Sequence, residues 1–246
     1  GLAGQAAGQP LPEACWVALA RALRFLRSVR SCGGKAPMVG DADDGAVFRL
    51  DPACHDRAAQ LLALGAAAFG GPAAQGLGAR WLLHALPGPR PCAVDPAPGT
   101  GWAFPDGGYL LFGSGFGEPH EVKGMLDCGP LGYVGIAAHG HADALALTLS
   151  VAGEECLVDP GTYSYWQAEE WRDYFRGTSA HNTVRVDGAD QSAGGGRFMW
   201  LRKARTRIER MPVSPHAFHF RGSHDGRPVN APGLKPLKSS FDGVLG

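Results

Sequence analysis

Apolar positions recur at two different periods along this chain, and the change falls near residue 90. From Pro12 to Arg30 the positions Leu19, Ala22, Leu23, Leu26 and Val29 return every three or four residues. That is the period of one helical face, and Pro12 suits a first turn. Asp56 to Phe69 predicts a second helix, and Gly76 to Leu86 a third that Pro87-Gly88-Pro89 brings to an end. A Pro/Gly-rich linker, Arg90 to Gly101, follows. Beyond it the period becomes two: Tyr109–Phe112, Ala144–Val151, Glu155–Val158, Thr183–Val186 and Ala204–Ile208 predict short strands divided by glycine turns. Helices first and an antiparallel sandwich or barrel afterwards predict an α+β chain of two packed domains.

Composition narrows the function. With 246 residues and 45% apolar content the chain can bury one large core or two modest ones. Its 23 basic and 23 acidic residues leave no net field to gather nucleic acid or an anionic membrane, so neither is an expected partner. No apolar run approaches the roughly 20 residues that span a bilayer. The first residue is Gly1, so a signal peptide is expected to be absent or to lie upstream. Six cysteines stand without a CxxC pair, which speaks against a cysteine metal site and predicts buried apolar thiols. Arg21, Arg24, Arg27 and Arg30 are read first as a solvated helix face. In GDADDG, Gly40–Gly45, the acids fall at the wrong positions for a calcium loop, which leaves an acidic turn able to line a neighbouring site.

The candidate chemistry lies in AHGHADALALTLSVAGEECLVDPGTY. His139 and His141 open one predicted strand, and Asp159 closes the next. If these strands pair through the Ala152-Gly153 turn, their outer ends meet and His141 neighbours Asp159. His181, in SAHNTV, stands just before another predicted strand. Two imidazoles and a carboxylate with a water in the fourth position would make a tetrahedral zinc site. His139 shares a face with His141, so it can sit beside a metal without binding it. Each histidine taken singly is equally readable as a hydrogen-bonded structural residue.

Several motifs in order carry a resemblance: GDADDG, FPDGGYLLF, GPLG, HGHADALALTLS, LVDPGTYSY, YFRGTSAHNTVRVDG and DQSAGGGRFMW, across most of residues 37–200. They are similar to the heparinase II/III family of polysaccharide lyases, which includes oligoalginate lyases. The resemblance implies an α/α toroid followed by an antiparallel β-sandwich. Here that means the C-terminal end of a toroid over 1–89, a linker over 90–101 and a partial sandwich over 102–226. It also implies zinc, in a mainly structural role, on His141, Asp159 and His181, with His139 as the catalytic histidine. Tyr174 is the local candidate for a proton-carrying hydroxyl, and Arg176 for an anionic substrate.

The implied reaction is β-elimination on a uronic-acid-containing polysaccharide, such as a glycosaminoglycan or alginate, in the periplasm or outside the cell. Residues 1–86 are too short for a toroid, so the family's upstream catalytic residues have no counterpart here. An incomplete lyase is therefore expected, with a non-catalytic, zinc-stabilised carbohydrate-binding or scaffold module as the alternative. A hydrolase using zinc-bound water is disfavoured because no HExxH is present. Residues 227–246 lose all alternation and carry Pro228, Pro232 and Pro236, which predicts a non-native or disordered tail. Nothing in the sequence indicates an oligomeric state.

Overall fold

A computed structural model of the chain describes residues 7–42, 55–71, 76–85, 88–90, 101–133, 135–210, 218–226 and 239–245. They divide between two compact units, Gly1–Arg30 with Gly45–Pro96, and Ser31–Asp44 with Ala97–Gly246. The segment Ser31–Asp44 thus belongs with the strands, although its position in the sequence placed it among the helices. Among the described residues no helix is long and apolar enough to cross a membrane.

The first unit holds three helices, α1 (Glu13–Val29), α2 (Arg57–Phe69) and α3 (Leu77–Ala85), within a residue or two of the predicted ends. Asp56 caps α2 by accepting from the Ala59 N–H at 2.8 Å, and Gly70, at φ +81°, ends it in the left-handed conformation that glycine adopts freely. Buried Trp16 of α1 meets the Phe69 ring edge-on at 6.2 Å. Gly65 lets α1 approach α2, since a Cβ there would lie 2.6 Å from Leu23. The arginine face behaves as predicted, with Arg21, Arg24 and Arg27 exposed and Arg30 paired to Asp56.

The second unit contains a five-stranded antiparallel sheet in the order β1 (Gly101–Phe104), β2 (Tyr109–Ser114), β3 (Val122–Asp127), β4 (Leu147–Val151), β5 (Glu154–Leu157). Helix α4 (Glu169–Arg176) and a 3₁₀ turn, Thr178–Ala180, come next, then a short pair, β6 (Ala193–Gly194) and β7 (Trp200–Arg202). The last three strands, β8 (Thr206–Arg210), β9 (Phe218–His224) and β10 (Ser239–Leu245), form a second antiparallel sheet in the order β10-β9-β8. Leu110, Phe112, Leu126, Cys128 and Leu145 share one core with Phe220, and Leu147 and Ile208 pack against it, so both sheets contribute. As predicted, Ala152 and Gly153, both at positive φ, turn β4 into β5.

Three expectations fail here. Thr183–Val186 is no strand: Gln191 Nε2 donates to Thr183 Oγ1 and to the Val184 carbonyl, and Thr183 Oγ1 donates to the Ala144 carbonyl, so side chains replace a ladder. Residues 239–245, expected to lack structure, pair with β9 over seven positions, from Ser239↔His224 to Leu245↔Phe218. Backbone pairing requires no alternation of side chains, which is why the pattern did not reveal it. Among the described cysteines only Cys128 is buried, while Cys15, Cys32 and Cys156 are exposed free thiols.

The segment Ser31–Asp44 is fastened to the sheet by close backbone contact and one buried acid. A Cβ on Gly33 would lie 2.5 Å from the Gly153 carbonyl oxygen in the β4–β5 turn. Glu121, fully buried, accepts from the Cys32 N–H at 2.8 Å and the Gly117 N–H at 2.7 Å, and pairs with Lys123 at 3.1 Å. Further along, the Ala42 N–H donates to Thr162 Oγ1 at 2.6 Å, and that hydroxyl donates back to the Ala42 carbonyl at 3.1 Å.

Candidate metal centre

The HxH turn is a tight loop ahead of β4. Ala137 and His139 take positive φ (+53° and +63°), a conformation that costs non-glycine residues roughly 1 kcal/mol and persists only where surrounding contacts enforce it. Those contacts are on the inner side. Ala137, Ala142 and Trp200 form a buried cluster, and the Trp200 indole donates to the Gly140 carbonyl at 2.8 Å. The Ala142 N–H donates to the Arg176 carbonyl at 2.8 Å. His141 is thereby held inward, with its side chain fully buried, whereas that of His139 is 60% exposed.

His181 follows the 3₁₀ turn instead of opening a strand. Thr178 fixes that turn by donating from Oγ1 to the Ala142 carbonyl at 2.7 Å, while its N–H donates to Asp190 at 3.0 Å. The Leu147 N–H donates to the Asn182 carbonyl at 3.0 Å, and Asn182 Nδ2 donates to the Val158 carbonyl at 2.8 Å. The loop is thus stitched to the start of β4 and the end of β5. Asp159 follows β5 and turns its Oδ1 onto the Gly161 N–H at 2.8 Å, the turn geometry that Asp-Pro-Gly favours.

These constraints bring His141, Asp159 and His181 together, with one potential ligand atom from each inside a 4.8 Å span. The His141 and His181 rings lie 5.3 Å apart. His181 Nδ1 pairs with Asp159 Oδ2 at 2.8 Å, and His141 Nε2 with Asp41 Oδ1 at 2.9 Å. The opposite nitrogens, His141 Nδ1 and His181 Nε2, are buried and have no hydrogen-bond partner. Orphaned buried nitrogens are costly and uncommon in a folded chain, and a metal ion is one partner that satisfies them.

A cavity of about 310 Å³ opens beside the group, lined in part by Asp41, Tyr109, Asp127, His139, His141 and Asp143. Burial, reinforced by Asp159, pushes the Asp127 carboxyl up to about 6 against the opposing hydrogen bond from the Gly129 N–H. Asp143 is raised well above the usual carboxylate range by burial and by the charges of Asp127 and Asp159. Tyr109 is raised too, first by burial and then by the same three acids. Crowded acids beside two unpartnered ring nitrogens make an environment in which a bound cation would favour the ionised form of each carboxylate.

Asp41 is the site residue that periodicity could not reveal. Burial alone would raise its carboxyl, but hydrogen bonds from His141 and Arg172 and the guanidinium charge outweigh that and hold it at about 2. His141 is shifted down, because burial outweighs the pull of Asp41. The signal in the sequence is the GD of GDADDG, an acidic turn able to line a neighbouring site, but nothing in the motif names its partner. Asp43 and Asp44 of that motif lie outside the described residues.

The remaining candidates divide. Tyr174 is exposed on α4, edge-on to Trp171 at 5.9 Å. Arg176 is buried: Nη1 donates to the Gly196 carbonyl at 2.5 Å, Nη2 to the Met199 carbonyl at 3.0 Å, and the guanidinium lies 4.2 Å over the Trp200 ring. In this arrangement its donors serve the loop ahead of β7.

Comparisons with known proteins agree with this architecture. Three solved structures share the fold: a heparan sulfate lyase from Pedobacter heparinus (16% identity, TM-score 0.54, covering 88% of this chain and 31% of that one), a heparinase III (15%, 0.54, 87% and 33%) and a heparinase III gene product with methylated lysines (16%, 0.52, 88% and 28%). The chain therefore spans about a third of the length of these structures. No curated protein matches the sequence. A family profile described as "Heparinase II/III-like, C-terminal" matches residues 96–237, more than half the chain and the whole of the histidine site, and the chain belongs to that family.

Proposed function

We propose that this chain carries the metal-binding and proton-transfer face of a lyase that cleaves uronic-acid-containing polysaccharide by β-elimination. The helical unit is read as the end of an α/α toroid, and the two sheets with their common core as part of a β-sandwich. The observation that carries the reading is the pair of buried, unpartnered ring nitrogens on His141 and His181 beside Asp159. A lone bare nitrogen also occurs on His224; what sets this pair apart is that both rings converge with Asp159 in one group able to hold a metal ion.

Elimination has definite requirements. The C5 proton of a uronate is weakly acidic, so the neighbouring carboxylate must be neutralised, a base must take the proton, and an acid must protonate the departing glycosidic oxygen. The cavity wall is rich in carboxylates, which would repel a uronate if no cation sat among them. His141, Asp159 and His181 would hold zinc, whose positive charge supplies electrostatic support to the site when bound. His139 is suited to move a proton because its ring is largely exposed, lines the cavity and shares Asp41 with His141. Tyr174 offers an exposed hydroxyl on the same unit, and Arg176 keeps the loop ahead of β7 in place.

Incubating the chain with a panel of acidic polysaccharides, with and without zinc, tests the proposal. Appearance of an unsaturated uronate end, lost in His139→Ala, supports a lyase. Hydrolysed products without unsaturation would replace elimination with hydrolysis, and intact polymer under all conditions would mean that this chain alone performs no cleavage, as an incomplete lyase and a non-catalytic carbohydrate module both require.

A further inference from the structure

We propose that Asp41, clamped by Arg172, is the positioning residue of the histidine site: it fixes the ring and tautomer of His141 so that the Nδ1 lone pair faces Asp159 and His181. The inference rests on the metal-site reading above, but it makes a claim about the protein itself that can be tested without metal.

The Asp41 side chain is fully buried, and that of Arg172 is 1% exposed. Arg172 Nη1 donates to Asp41 Oδ1 at 2.5 Å and Nη2 to Oδ2 at 2.6 Å, the two-pronged geometry in which a guanidinium holds a carboxylate. An ionised carboxylate can only accept. His141 Nε2, 2.9 Å from Oδ1, must therefore be the nitrogen that carries hydrogen. A neutral imidazole has one N–H, so Nδ1 is left with a bare lone pair, and this is the buried atom with no partner. A carboxylate behind a ligating histidine is the arrangement by which metal sites set ligand orientation.

The clamp is itself built in. Arg172 lies 5.3 Å from the Tyr165 ring and 5.6 Å from Phe198, and Nη2 also donates to the Arg197 carbonyl at 3.3 Å. Asp41 reaches the HxH turn because Gly40, at φ +57°, has no Cβ; one built there would lie 2.4 Å from the His139 carbonyl oxygen. The Asp41 N–H donates to that same carbonyl at 2.8 Å. Its second carboxylate oxygen stands 3.2 Å from His139 Nδ1, so one acid orients both histidines of the motif. An asparagine at position 41 would keep the shape but not the fork: Arg172 Nη1 and His141 Nε2 share Oδ1 while Arg172 Nη2 takes Oδ2, so in either amide orientation the NH2 group meets one guanidinium N–H, and the carboxylate that holds the Nε2 proton is lost.

The test is ¹⁵N NMR of the metal-free full chain, with His141 assigned by a His141→Gln variant, alongside zinc affinity measured by chelator competition. Wild type is expected to show protonated Nε2 and bare Nδ1 at His141, and Asp41→Asn a mixture of the two tautomers with zinc binding weakened about 10- to 100-fold. Protonated Nδ1 in wild type would overturn the proposal, as would a folded Asp41→Asn chain that binds zinc as tightly as wild type. If Asp41→Asn does not fold, Arg172→Lys decides: loss of the fork should mix the two tautomers, and an unchanged spectrum would count against the clamp. Wild type with the expected tautomer but no zinc affinity would defeat the metal reading and leave the assignment of Asp41 standing.

Discussion

At the residue scale, the two histidines of HGH are separated by what surrounds them, not by their spacing. His141 is sealed within the fold and His139 faces the cavity. Replacing His141 or Asp159 with alanine is therefore expected to remove bound zinc and lower the melting temperature, whereas His139→Ala keeps the metal. Metal content by mass spectrometry checks both, and zinc lost from His139→Ala would mean the roles had been divided wrongly. A second residue-scale prediction concerns Glu121. It is a fully buried charge whose partners are Lys123 and two backbone N–H groups, and one of those belongs to Cys32 in the segment that carries Asp41. Glu121→Ala takes the carboxylate away from a buried ammonium and leaves two backbone donors unmatched, which is expected to cost roughly 3 kcal/mol in chemical denaturation. A loss below about 1 kcal/mol would show that water replaces the carboxylate.

At the element scale, legibility followed how each element meets its surroundings. The three helices of the first unit could be read because one face is apolar and Pro or Gly marks their ends. Helix α4 could not, because its pattern is inverted: Arg172 and Arg176, one turn apart, are the buried residues, while Trp171 and Tyr174 are exposed. Strand β3 was hidden by Gly124, over which the Phe112 ring lies, and by Lys123, buried against Glu121. His141 and Asp159 could be placed together because each adjoins a recognisable turn, whereas His181 was placed ahead of a strand that does not form, and it reaches the group through the 3₁₀ turn. Asp41 could not be placed, because its partner His141 is a hundred positions away and only tertiary structure joins them. Strand β9 carries its own pH dependence. His224 is buried, accepts from the Gly226 N–H through Nδ1 at 3.2 Å, and leaves Nε2 without a partner, and burial lowers its pKa despite Asp225. An unfolded histidine protonates near pH 6.5, so as pH falls below that value the unfolded chain takes up the proton first and stability drops until the lower folded value is passed. Urea midpoints at pH 7.5 and 5.5 should differ less in His224→Gln than in wild type. Equal differences would remove His224 from the account.

At the scale of the whole molecule, His141, Asp159 and His181, together with Asp41 and Arg172, fall in the second unit, and the three helices α1 to α3 fall in the first. This division makes the effect of zinc local in a measurable way. Zinc at about 100 times its dissociation constant stabilises the structure that binds it by about 2.7 kcal/mol. For a unit of this size that corresponds to a rise of roughly 5–10 °C in melting temperature. In a variant with phenylalanine at the other five tryptophan positions, Trp200 fluorescence reports on the second unit, since its ring is buried beneath the HxH turn, whereas far-ultraviolet helical ellipticity reports mainly on the first. Zinc is therefore expected to raise the transition followed by Trp200 fluorescence, with a smaller change in the helical signal, and the rise should vanish in His141→Ala. Equal shifts in both signals would mean that the two units unfold as one cooperative body. A fluorescence transition that zinc does not move would mean that the bare nitrogens of His141 and His181 do not serve a metal, and the polysaccharide lyase reading would lose its central support.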